Sequence, residues 1–362
     1  MHQAAVPSVI PPAKGRTYLT LQAGRGIAAI MVVIFHTTSF LGGDPRYWHL
    51  RWLSIRFTGL SLGVDYFFVL SGTVILLAHR KDIGHPATIP SYLWKRFRRV
   101  YPIYWLVLTT LVLEYTLRPG LGAPWQKDAS VILSGYLLIS INTLHTTLPV
   151  AWTLFHEVLF YAIFAVLLAS RRIGLILLAL WCALSILMLI HPWNLFCLAY
   201  LFSPLHLLFA SGMLVARLLY SGRLPGAVSF TILGACIFLA AIVIAGVAGD
   251  QSFPIQLLAG AGATFLVLGA ARLEARGHIA VSRSLRFAGD ASYSIYLIHY
   301  PFFMFSAPIV YKLCLRFHIP VAVPFVVLPV CAVAVGCGLH VLIERPLLRL
   351  IPRRKPRLWA SA

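Results

Sequence analysis

The sequence predicts an all-α polytopic membrane protein with about ten transmembrane helices and both termini cytoplasmic. Three observations predict it. The 362 residues are 60% hydrophobic and only 11% charged, whereas soluble domains carry roughly a quarter charged residues. The mean hydropathy is +0.85, more apolar surface than a soluble fold of this length could hide. The apolar residues also gather into runs of about 20, the length that crosses a hydrocarbon core, and the basic residues fall between those runs.

Taken in order, the spans are 19–40, 58–79, 99–117, 149–169, 173–190, 196–216, 226–247, 254–271, 287–310 and 321–343. A further apolar stretch at 129–144 is short, and reads as a re-entrant or interfacial segment. The first run carries internal charge and lacks a small-residue cleavage site, so it is a retained helix rather than a signal peptide. This divides the chain into a cytoplasmic N-terminal segment (1–18), a transmembrane domain (19–344) and a basic cytoplasmic tail (345–362). No internal repeat and no intervening soluble domain is evident.

Charge asymmetry tests the map. With the N-terminus inside, 22 of the 30 Lys and Arg residues fall in inner segments, 7 fall in outer segments, and Arg25 lies within a span. This is the positive-inside pattern, and an odd number of spans would scramble it. The net charge of +20 therefore faces the cytoplasm and anionic membrane lipid, and no nucleic-acid partner is expected. The six cysteines show no CxxC spacing, so neither a metal site nor a disulfide framework is indicated.

Ionisable side chains inside a span are costly, and each one is a functional hypothesis. Arg25 and His36 share the first span. Eleven residues of helix separate them by about 16 Å, close to three full turns, so both project from one face. A snorkelling Arg and a core His bonded to a carbonyl would explain either alone; the pair in phase is harder to explain that way. Asp65, two turns into the second span, and Glu157, in the fourth, belong at a depth similar to His36. A carboxylate beside an imidazole holds its tautomer and favours the charged form, as a general base requires. For Asp65 alone a buried structural ion pair is the simpler explanation; for Glu157 the two stand level.

Arg96 and Arg99 belong to Lys95-Arg96-Phe97-Arg98-Arg99, at the inner mouth of the third span. Arginine forks match phosphate oxygens, so the cluster suits a phosphate-rich cytosolic ligand, and it equally suits anionic lipid. In the ninth span Tyr293, Tyr296 and His299 fall near one face, where they line a polar cavity or bond neighbouring helices. The last span ends in Glu344-Arg345-Pro346, which reads as an interfacial ion pair and a helix stop. Zincin, nucleophile-elbow and dinucleotide-loop patterns are not met.

Six motifs stand in order along nearly the whole chain: Arg25-x10-His36; Gly63-Val64-Asp65-x-Phe67-Phe68-Val69-Leu70-Ser71-Gly72; Arg96-x-x-Arg99 before Tyr101-Pro102-x-Tyr104-Trp105; Trp152-Thr153-Leu154-x-x-Glu157-x-x-Phe160-Tyr161; Gly289-Asp290-x-Ser292-Tyr293-x-x-Tyr296-Leu297-x-His299; and Glu344-Arg345-Pro346. Together they resemble the membrane acyltransferase-3 family. Many members have Asp where this sequence has Gln22 and Ser where it has Thr153, departures that look like the exopolysaccharide O-acetyltransferase branch. The resemblance implies a multi-pass protein of the cell inner membrane. It would transfer an acyl group, usually acetyl from acetyl-CoA, to a hydroxyl of a saccharide or glycolipid, with no metal. Carried over by position, His36 would be the catalytic histidine, supported by Glu157 or Asp65, while Arg25, Arg96, Arg99 and Tyr293 would bind the acyl-CoA. A general base is favoured over an acyl-histidine because of those carboxylates. The rival class is a transporter or flippase that uses the same ionisable residues as a proton or substrate path; the inverted symmetry common in that class is not seen.

Overall fold

A computed structural model of the chain describes residues 18–140, 145–192, 196–221 and 226–352. The basic residues at 14, 16, 223 and 353–357 and most of the two terminal segments lie outside the described residues. Fourteen α-helices account for nearly all of what is described, with no strand among the described residues. They are α1 (Leu19–Thr38), α2 (Arg51–Arg56), α3 (Gly63–His79), α4 (Ile89–Leu117), α5 (Ala129–Leu137), α6 (Trp152–Ala169), α7 (Arg171–Ile190), α8 (Phe196–Leu201), α9 (His206–Ser221), α10 (Ala227–Ala248), α11 (Phe253–Ala275), α12 (Arg283–Phe317), α13 (Ala322–Leu339) and α14 (Arg345–Leu350). Ten helical segments are long and apolar enough to cross a membrane, and each coincides with one of the ten predicted spans. The last continues through α14 to residue 350, past the boundary drawn at 344.

One face of the bundle follows from the contacts at the helix ends. The start of α1 lies on the end of α11, where Glu274 accepts from the backbone N–H groups of Leu19 and Thr20 and from the Thr20 hydroxyl, all at 2.7 Å. A carboxylate there satisfies the free donors of a helix start and meets its positive dipole end. On the same face Arg80, the residue just after α3, stacks over Tyr220 at the end of α9, and Trp94 of α4 donates to the carbonyl of Pro352. This basic face carries the ends predicted to be inner.

Glycines set the closest helix contacts. A Cβ on Gly72 of α3 would lie 2.0 Å from the Phe209 carbonyl oxygen of α9, and one on Gly212 the same distance from the Val69 carbonyl oxygen. Only backbone without a side chain fits so tight a crossing. Helices α1 and α12 run parallel: Gly289 abuts the Gln22 carbonyl, and fourteen residues further along α12 Phe303 meets Phe40. The apolar side chains of α7 and α10 that remain exposed, such as Ile173, Ile176, Ile232 and Leu239, form the surface a bilayer would cover.

Among the described residues of the 129–144 run, which end at 140, the helix is α5, nine residues or about 14 Å, too short to cross. Its last carbonyls are bonded from the middle of α4: Tyr101 donates to Leu137, Tyr104 to Gly135 and the Trp105 indole to Tyr136. Those rings satisfy the carbonyl end of this short helix.

Candidate active site

A cavity of about 570 Å³ opens among α1, α3, α4, α6 and α12, within the usual size range of small-molecule sites. Helix α4 starts ten residues before the predicted span, so its basic cluster sits on rigid helix. Exposed Lys95 and half-buried Arg96, Arg98 and Arg99 form the mouth. Further in lie Arg25, Ser71, Glu157 and Tyr293, and the far end is closed by Val64, Phe67, Thr153 and Tyr296. Along α3 the walls run from Ile75 to Val64, eleven residues or about 16 Å.

Each mouth arginine is held by neighbours. Arg96 lies against the rings of Tyr92 and Tyr161, with 5.8 Å from guanidinium carbon to each centroid. One of its terminal nitrogens donates to His79 Nε2 at 3.5 Å, while His79 Nδ1 donates to Asp82 at 2.7 Å. Arg99 donates to Glu344 at 2.7 Å and faces the Tyr293 ring. Tyr293 in turn donates to the Val100 carbonyl at 2.8 Å. Arg25 donates to Ser292 of α12 at 3.3 Å. It also lines, with Gln22, Arg99 and Arg345, a smaller polar recess of about 290 Å³ beside the cavity.

His36 lies beyond the far end. Its Nδ1 is 3.1 Å from the Val32 carbonyl oxygen and 3.1 Å from His299 Nε2. The ring of Tyr300 meets it edge-on at 5.5 Å. Tyr296 lines the cavity with one side, while its ring centroid lies 5.8 Å from that of His299. One layer of aromatic rings thus separates the cavity from the histidine pair.

The acyltransferase domain of the acyltransferase-3 family matches residues 18–343. The chain belongs to that family. The exopolysaccharide production protein ExoZ of Rhizobium meliloti is 30% identical over 303 residues, 81% of this chain and 91% of that protein. Protein 2 in the picA locus of Rhizobium radiobacter is 28% identical over 166 residues, 41% of this chain and 81% of that protein. No solved structure matches.

In this acyltransferase the predicted site residues separate into three places. Arg25, Arg96, Arg99, Tyr293 and Glu157 share the cavity. Glu157 does not reach His36: it accepts from Ser71 at 3.0 Å and from Tyr161, one turn further along α6, which aim its carboxylate across the cavity. Asp65 belongs to neither place: the α3 face bearing Val64, Phe67, Phe68 and Ser71 lines the cavity and Asp65 does not, and the ring of His36 is bonded to Val32 and His299 instead. It is 2% exposed, and its Oδ1 has no partner among the described residues. A carboxylate beside the imidazole, expected from the sequence, is therefore replaced by His299.

Glu344 is the second correction. It is 1% exposed and is no surface partner of Arg345. It accepts from Arg99, from the Ser294 hydroxyl at 2.7 Å and from His340 Nδ1 at 2.6 Å. The segment His340–Glu344 is π-helical, a local widening common at functional sites, and it turns Glu344 inward. Nothing in a terminal Glu-Arg-Pro signals this; the burial comes from α4 and α12 packing over it. Among the described residues no group of three or more His, Cys, Asp or Glu is gathered to hold a metal ion.

Proposed function

We propose that this acyltransferase moves an acyl group, acetyl being the simplest case, from cytosolic acyl-CoA to a hydroxyl of an exported polysaccharide or glycolipid, with His36 as general base. The observation that carries it is one cavity with a guanidinium mouth and an aromatic end abutting the pair of half-buried His36 and buried His299. CoA phosphates suit Arg96 and Arg99, which present forked donors on rigid helix. A thin pantetheine arm suits the narrower walls past Arg25 and Tyr293, bringing the thioester to the Tyr296 end. The basic face is then cytoplasmic, and an inner-membrane location follows from export of the acceptor. The name of the Rhizobium meliloti relative favours an exopolysaccharide.

In the reaction, His36 Nε2 takes the proton of the acceptor hydroxyl as its oxygen attacks the thioester carbonyl. Collapse of the tetrahedral intermediate breaks the C–S bond. The departing thiolate takes the proton from Nε2, returning His36 to its starting form. Glu157 serves as a counter-charge to Arg25 in the cavity, and Asp65 has a structural role in α3.

The test is purified protein in lipid vesicles with [14C]acetyl-CoA and a lipid-linked saccharide acceptor. Label should pass to the acceptor with release of CoA, and Arg96→Gln and Arg99→Gln should raise KM for acetyl-CoA. Saccharide moved across the vesicle without CoA release would overturn this reading in favour of a transporter.

A further inference from the structure

We propose that His299 is a positioning residue for the transfer: its Nε2 fixes which nitrogen of His36 is free to act as the base. The proposal rests on His36 being the base, as argued above. The pairing of two neutral imidazoles leaves few proton arrangements, and the backbone decides among them. His299 Nδ1 lies 3.2 Å from the Ile295 carbonyl oxygen. A carbonyl only accepts, so Nδ1 of His299 carries the proton and its Nε2 holds a lone pair. That lone pair faces His36 Nδ1 at 3.1 Å. Since His36 Nδ1 also faces the Val32 carbonyl at 3.1 Å, it meets two acceptors and must be the protonated nitrogen. The opposite tautomer would set three lone pairs against one another in a site where His299 is fully buried.

Nε2 of His36 is then unprotonated, the form a base needs. The Val32 carbonyl alone holds this tautomer weakly, because it already accepts the helical N–H of the residue four positions on. His299 adds an acceptor fixed on a second helix. It also faces the Nδ1–H of the imidazolium that forms when Nε2 takes the acceptor's proton. This is the task a buried carboxylate performs in a hydrolase triad, where supplying the wrong tautomer costs about 10,000-fold in rate. Here a neutral imidazole does it, which adds no buried charge. Position supports the assignment: the parallel packing of α1 and α12 brings the two rings to one depth, with centroids 5.0 Å apart, and His299 does not line the donor cavity.

Two measurements test it. In protein labelled with [15N]histidine, the ring signal lost on His36→Gln should report a protonated Nδ1 and an unprotonated Nε2; the opposite tautomer would overturn the proposal whether or not an acceptor is in hand. In the vesicle assay, His299→Leu should lower kcat by at least ~100-fold with KM for acetyl-CoA unchanged, since His299 lies outside the cavity. His299→Gln places an amide oxygen near the Nε2 position and should keep kcat within about 10-fold of wild type. A folded His299→Gln protein as inactive as His299→Leu would overturn the proposal, as would a fully active His299→Leu protein. If the wild-type protein transfers nothing, the proposed function fails, and the labelled-histidine measurement still decides the pairing.

Discussion

Glu344→Gln removes one charge and almost no volume, and the structure lets its cost be worked through. The carboxylate has two acceptor oxygens serving Arg99, Ser294 and His340 at 2.6 to 2.7 Å. The amide has one acceptor. His340 Nδ1 must remain a donor, because its Nε2 accepts from Arg345 Nε at 3.0 Å. If the amide oxygen turns to Arg99, the amide N–H2 therefore meets the Nδ1–H of His340. If it turns to Ser294 and His340, the N–H2 meets the guanidinium. Either orientation opposes donor to donor. A hydrogen bond to a charged group contributes about 1.5–3 kcal/mol, and breaking a fully buried pair costs about 3–5 kcal/mol. Arg99 retains 31% side-chain exposure, so water offsets part of the loss and about 2–3 kcal/mol is expected. Thermal unfolding in detergent should fall by on the order of 5 °C. KM for acetyl-CoA should rise about 10-fold as Arg99 loses its anchor, equivalent to about 1.4 kcal/mol. A cycle with Arg99→Gln should give a coupling above about 1 kcal/mol. Unchanged stability and KM, or strictly additive effects of the two substitutions, would refute the reasoning.

Three further outcomes are expected. Glu274→Ala removes three acceptances at the start of α1 and should cost about 1–2 kcal/mol, measured as loss of thermal stability. Gly72→Ala places a methyl group 2.0 Å from the Phe209 carbonyl oxygen, and the α3–α9 crossing should not form; loss of folded protein by size-exclusion profile checks it. Tyr296→Ala takes away the ring between the cavity and His299. Hydrolysis of acetyl-CoA without acceptor should then rise several-fold, dependent on His36, and an unchanged hydrolysis rate would show that this ring is no barrier.

The ten spans were legible because crossing hydrocarbon demands a length and an apolar composition that any span must show. The in-phase Arg25 and His36 were legible for a similarly local reason, since helical geometry fixes their common face. Both turn toward α12, Arg25 onto Ser292 and His36 onto His299. The partners were not legible. His299 and His36 are 263 positions apart, and nothing in either helix says which others it packs against. The same holds for Glu157, whose carboxylate follows Ser71 and Tyr161 into the cavity and away from His36. Asp65 sits between cavity-lining Val64 and Phe67 in sequence, yet on another face of α3. Glu344 misled for an opposite reason: a charged residue at a helix end reads as interfacial unless tertiary packing covers it. Tyr101, Tyr104 and Trp105 stood together in one motif and the 129–144 stretch stood out as a short apolar segment, but neither showed that the first bonds the end of the second.

The central claim is that His36 performs the transfer while the cavity beside it binds the acyl-CoA. Its most direct test is His36→Ala in the vesicle assay, with acetyl-CoA binding measured on the same protein. The account predicts binding within about 3-fold of wild type, because His36 lies outside the cavity wall, and transfer reduced by at least ~100-fold, as loss of a general base requires. A folded His36→Ala protein that still acetylates its acceptor at a wild-type rate would contradict it.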